Sequence, residues 1–209
     1  MMKKIFFIVL ILFNVLNHQQ ILCSQNIADF DKGTLVITVG AGFPDFYRLG
    51  LKADYIGYSS RKVRGFGPLI IKGDYGLIKF KWGHTLGVGA LLGYNYTSAD
   101  LNYYQGNNNF YSQTDKYFTI TFGVRGTYHF YTKEKFDCYG NVGLGFNINS
   151  SNRTSNDPFA SSYSLYKRSA IYQALTVGIR YFFTETIGVY SEVGWDMSTP
   201  IQAGLSLKF

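Results

Sequence analysis

YFTITFGVRGTYHF, residues 117–130, changes chemistry at every step. Phe118, Ile120, Phe122, Val124, Tyr128 and Phe130 share one face, while Thr119, Thr121, Gly123 and Arg125 share the other. That period of two belongs to a β-strand whose faces meet different surroundings. The polar face is small and carries little charge, so it would make a poor solvent coat. The destination of the apolar face therefore decides the fold.

The pattern repeats on both sides of this stretch. It returns in TLVITVGAGF (34–43), PLIIKGDYGL (68–77), TLGVGALLGYNY (85–96), FDCYGNVGLGFNI (136–148), AIYQALTVGIRYFF (170–183), IGVYSEVGWD (187–196) and IQAGLSLKF (201–209). Eight candidate strands result, each close to the length a tilted strand needs to cross a bilayer, about 9–11 residues. Short connections are expected near 78–84, 131–135, 184–186 and 197–199, and long polar loops at 44–67, 97–116 and 149–169. No internal repeat and no second domain are visible.

Composition agrees with this pattern. Among 209 residues there are 18 Tyr, 18 Phe and 23 Gly, and only 16% are charged, which disfavours both disorder and a helical domain. The glycines fall mainly on the less apolar face (Gly40, Gly42, Gly87, Gly89, Gly123, Gly143, Gly145, Gly178), where small residues suit a narrow interior. Tyr94, Tyr96, Tyr128, Phe130, Tyr181, Phe183 and Trp195 are expected near strand ends, at the level of lipid headgroups. A soluble ligand-binding barrel would turn its apolar face inward and coat itself with charge. The reading here is all-β: an up-and-down, eight-stranded antiparallel transmembrane barrel whose apolar face meets lipid.

MMKK followed by IFFIVLILFNVL (5–16) has the basic start and short apolar core of a secretory signal peptide. A cut after Ser24 would leave residues 25–209 as the barrel domain. A lipoprotein reading centred on Cys23 is weaker, because bulky Leu22 precedes it. Removal of 1–24 takes Lys3, Lys4 and Cys23, so the net charge of +7 falls by two and Cys138 is left as a lone cysteine. No intrachain disulfide is then available.

GVRGTYHF, FDCYGNVGLGF, VGIRYFFTETIGVYSEVGW and GLSLKF resemble the later strands of small bacterial outer-membrane β-barrel proteins, the porin-like barrels of OmpA and OmpW type. The resemblance implies an outer-membrane barrel with both termini in the periplasm. It also implies that Phe209 belongs to a C-terminal signal read by the barrel assembly machinery.

With the apolar face outward, Lys72, Asp74, Arg125, Arg180 and Glu192 point into the lumen, and Lys208 lies at the periplasmic rim. Buried charges must be paired, so Glu192 is expected between Arg125 and Arg180, forming either a structural plug or a gate for ions. The first long loop is basic: Arg48, Lys52, Arg61, Lys62 and Arg64 against Asp45 and Asp54. These cations suit the phosphates of lipopolysaccharide. The Tyr- and Asn-rich second loop leaves open an adhesin or ligand-binding barrel whose extracellular ligand is unknown. Uptake of small hydrophobic solutes is a third alternative, and it would need an apolar gap in the wall.

Catalysis is not expected. His84 lies in a turn, His129 faces inward near the rim, neither has an evident Ser and acid partner, and no GxSxG occurs. Cys138 falls on the lipid face as a small apolar residue. The glycine runs at 87–93 and 140–145 lie inside strands, so they lack the strand-to-helix turn that cradles phosphate. No cofactor, metal or nucleic acid is expected, and the barrel reads as a monomer held in outer-membrane lipid and lipopolysaccharide.

Overall fold

The computed structural model describes residues 27–54, 59–105, 109–158, 168–196 and 199–209; the expected leader, 1–24, lies outside them. Eight strands close into an antiparallel barrel in chain order. They are β1 (Leu35–Phe43), β2 (Ser60–Lys79), β3 (Thr85–Gln105), β4 (Asn109–Lys133), β5 (Phe136–Ser155), β6 (Arg168–Phe182), β7 (Ile187–Asp196) and β8 (Ile201–Lys208). A nine-residue helix, α1 (Phe46–Asp54), sits between β1 and β2. β8 returns to β1 with Thr38 opposite Ser206 and Phe43 opposite Ile201. Closure leaves neither strand with a free edge along this seam.

The alternation is as the sequence foretells. Val124 and Leu175 are each 63% exposed, while their neighbours Arg125 and Thr176 are buried. Hydrophobic side chains clothe the outside, and polar and charged ones fill the inside. Glycine makes this interior possible at Gly178, where a Cβ would run into the Tyr139 ring. One end of the barrel carries the tight turns β2–β3, β4–β5 and β6–β7. In the first, Phe80 N–H donates to His84 O (2.8 Å), Gly83 N–H donates to Phe80 O (3.0 Å), and Gly83 takes a φ of 90° that favours glycine.

The long polar loops require correction. β2 to β5 are 20 to 25 residues long, far beyond the expected 9–11. At about 3.3 Å per residue, the 25-residue β4 could reach roughly 80 Å. Most of the expected loop at 97–116 is a paired hairpin, with Ser98 opposite Lys116 and Tyr104 opposite Phe110. The 44–67 segment holds α1 and the first rungs of β2, and 149–155 continues β5. Apolar alternation fades there because outward positions become polar or charged, as at Lys62, Arg64 and Lys116. Strand pairing persists because Thr, Tyr and Phe still favour the extended backbone. Tyr94 and Tyr96 consequently lie midway along β3 rather than at its end.

Candidate functional site: the lumen charge network

Lys72 and Asp74 enter the lumen from β2, Arg125 and His129 from β4, Asp137 and Tyr139 from β5, Arg180 from β6 and Glu192 from β7. All eight are buried. Lys72 Nζ lies 2.6 Å from Glu192 Oε2 and also donates to Gln202 Oε1 at 2.5 Å. Arg125 bridges two acids, with Nη2 3.0 Å from Glu192 Oε1 and Nε 3.1 Å from Asp74 Oδ1. Arg180 binds Asp74 Oδ2 through Nη2 and lies 3.4 Å from Asp137 Oδ2 through Nη1. His129 Nδ1 meets Asp137 Oδ1 at 2.7 Å.

The result is one continuous chain across the lumen: Lys72, Glu192, Arg125, Asp74, Arg180, Asp137, His129. Basic and acidic groups alternate along it, so attraction between the charged neighbours offsets the cost of removing them from water. Aromatic, hydroxyl and amide groups satisfy some of the remaining valences, while Arg180 Nε and His129 Nε2 meet no hydrogen-bond partner among the described residues. Tyr139 OH donates to Glu192 Oε1 (2.9 Å), Thr176 Oγ1 donates to Glu192 Oε2 (3.1 Å), and the Arg180 guanidinium lies 4.2 Å from the Tyr139 ring centroid. Asp196 accepts from Tyr172 OH (2.5 Å) and Gln202 Nε2 (2.8 Å). The ion-paired chain joins five strands and Gln202 adds a sixth, β8, so paired side chains cross the lumen at this level.

All five expected lumen charges therefore come together, but in a different pairing. Glu192 sits between Lys72 and Arg125, and Arg180 turns to Asp74 and Asp137. The sequence reading omitted Asp137, Tyr139 and Asp196. Strand parity was the available signal, since Phe136 and Cys138 facing lipid put Asp137 and Tyr139 inside. His129 also gains an acid partner that the sequence reading denied it. Its ring is packed between Phe30 (3.8 Å) and Tyr139 (5.3 Å), and no hydrogen-bonding group among the described residues meets its Nε2. The pair thus lacks the nucleophile of a hydrolytic triad. No group of three or more His, Cys, Asp or Glu among the described residues is placed to hold a metal.

The basic residues of the first connection spread over different surroundings. Asp45 caps α1 by accepting from Arg48 N–H (3.2 Å) and ties the helix to β3 through Asn95 Nδ2 (3.1 Å). Arg48 turns back towards Asp45 and the Gly67 carbonyl. Arg61 donates to the Lys52 carbonyl at 2.5 Å, and Arg64 pairs with Asp100 at 3.3 Å. Lys52 and Lys62 are exposed. Higher on the hairpins, Arg153 grips Asp115 with two bonds of 2.8 and 3.0 Å. On the outer wall, an apolar groove of about 400 Å³ opens over Gly126 and Gly140, between Leu86, Tyr128, Val142, Leu175 and Val177. It lies towards the turn end, away from the hairpins. Phe209 is exposed at that end, and its backbone pairs with Leu35 through bonds of 2.8 and 2.9 Å.

No protein-family model and no curated protein matches the chain. Among solved structures, it is similar to Ail, the attachment invasion locus protein of Yersinia pestis. The crystal structure of Ail with the heparin analogue sucrose octasulfate is 14% identical, covering 85% of this chain and 99% of Ail, at a TM-score of 0.38. A second Ail structure is 15% identical with the same coverage and a TM-score of 0.35. The assignment of an eight-stranded closed barrel rests on the strand register itself.

Proposed function

We propose that the chain is an integral bacterial outer-membrane protein: a sealed, non-enzymatic barrel of the small porin-like class that supports long hairpins outside the cell. The observation that carries this reading is its inside-out chemistry. An apolar exterior surrounds a lumen crossed by buried, mutually paired charges. Such an exterior is at home in hydrocarbon, and a closed barrel also satisfies its own backbone there. The leader supports export. The turn end, where Phe209 and residues 27–34 lie, is then periplasmic, and Phe209 is offered to the assembly machinery.

Above the outward Phe66–Tyr96–Phe118 row, the next rung carries Arg64 and Lys116, and Lys62 stands one rung higher on β2. Cations just beyond an aromatic row suit the phosphates of lipopolysaccharide. The ion pairs across the lumen favour a structural barrel with at most minor solute passage. The wall groove near the turn end gives no route from the hairpins, which weighs against uptake of hydrophobic solutes.

A second reading, adhesion, is favoured by the tip of the β3–β4 hairpin. Tyr104 and Phe110 are 63% and 52% exposed and meet edge-on at 5.4 Å, far from the aromatic row.

Planar-bilayer recording on the purified protein tests the sealed lumen. The wild type is expected to give no large, steady, ohmic pore, whereas Glu192→Ala raises conductance by loosening Lys72 and Arg125. A large, steady wild-type pore overturns the reading.

A further inference from the structure

The short segment before β1 is folded into the barrel mouth. Ala28 and Phe30 are 0% and 2% exposed, although they belong to no strand. Ala28 N–H donates to Glu134 O at 2.8 Å, in the β4–β5 turn, which stands opposite β1 in an eight-strand ring. The chain therefore crosses the whole mouth between Ala28 and Leu35. Along the way it touches nearly every wall. The Phe30 ring stacks on His129 at a centroid distance of 3.8 Å and an angle of 13°, with the Arg180 guanidinium 6.0 Å away. A Cβ on Gly87 would come within 3.1 Å of Phe30 Cε1, so β3 leaves room for that ring. Asp31 pairs with Lys79 of β2 at 2.5 Å, and Gly33 N–H donates to Gly76 O at 2.9 Å.

Lys208, the last residue of β8, completes the arrangement. Its Nζ donates to Ile27 O and to Asp29 O (3.4 Å), while the ammonium lies 5.2 Å from the ring centroid of buried Phe182. A cation from the closing strand thus holds the carbonyls of the segment that leads into the first strand. It does so beside the seam where Phe209 and Leu35 pair.

We propose that residues 27–33 are a built-in plug for the turn-side mouth, with Phe30 as its stopper and Lys208 as its latch. The barrel is then sealed twice: by the ion-pair chain in the lumen and by its own N-terminal segment below. The latch also fastens β8 to the chain ahead of β1, so plug seating and barrel closure reinforce one another.

Ser206 lies one inward rung above Lys208 and is 0% exposed, so it reports on whether the mouth is shut. In protein carrying Cys138→Ser and Ser206→Cys, folded in detergent micelles, a charged thiol reagent is expected to react slowly at position 206. Adding Phe30→Asp or Lys208→Ala should speed that reaction at least tenfold. The two changes together should add little to either alone, because both release the same segment. Equal rates with and without these changes overturn the proposal. A second measurement needs no variant: in the unmodified protein, the Ala28 amide should exchange with solvent at least a hundredfold slower than in a free peptide. Exchange at the free-peptide rate overturns the plug, whatever the variants do.

Discussion

Glu192 is the residue on which the lumen turns, because its two oxygens serve Lys72 and Arg125 at once. Glu192→Gln keeps the shape and removes the charge, leaving Lys72 without its acid and Arg125 with Asp74 alone. Breaking a buried pair from one side typically costs about 3–5 kcal/mol. The expected result is a loss of that size in urea unfolding of the folded barrel in detergent micelles. Adding Lys72→Met should recover part of it, since the orphaned cation goes too. A single variant within about 0.5 kcal/mol of wild type, the range of an ordinary surface change, would show that the network is not structural. The membership of this network was legible residue by residue, since parity alone sends Lys72, Asp74, Arg125, Arg180 and Glu192 inward. Its pairing was not legible. Which acid meets which cation depends on the stagger of strands around the ring, and Arg180 reaches Asp74 from a strand distant in sequence. His129 shows the same limit, since Asp137 faces it only once β4 and β5 are in register.

At the scale of elements, the eight strands could be read where their outer face is apolar, and their continuation beyond that belt could not. On the proposed membrane placement, lipid imposes apolar residues on one face, and that demand ends where water begins. Ser98, Asp100, Thr114 and Lys116 thus look like loop residues although they are paired rungs. This longer architecture raises the Tyr104–Phe110 pair on a strand-paired hairpin rather than an unpaired loop. An exposed aromatic pair on a paired backbone loses less freedom on contact than one on an unpaired loop, which suits a binding anchor. If adhesion is the function, the purified protein should bind members of an array of immobilised glycans. Tyr104→Ser with Phe110→Ser should then lower that binding at least tenfold while assembly yield is unchanged. No binding by the wild type, or equal binding by the double variant, would remove the hairpin tip from the argument.

For the whole molecule, the membrane reading makes a geometric demand that a water-soluble barrel would not meet. The hydrocarbon layer is about 30 Å thick, so outward side chains should report their depth in order along the barrel axis. Trp82 lies in the β2–β3 turn, and Trp195 lies near the opposite end of β7, 67% exposed. These two tryptophans should sit at opposite interfaces, with outward Ile179 of β6, opposite Ser191 in the middle of β7, between them. In vesicles of lipids brominated at defined acyl positions, Trp195 studied alone in Trp82→Phe protein should be quenched best by shallow bromines. Trp82 studied alone in Trp195→Phe protein should behave the same way. A tryptophan introduced by Ile179→Trp, with both natural ones replaced by Phe, should instead be quenched best by the deepest bromines. Quenching that ignores bromine depth, or is absent at all three positions, would mean that the apolar exterior is covered by something other than lipid. The inside-out chemistry would then describe an assembly of barrels rather than one barrel in a membrane.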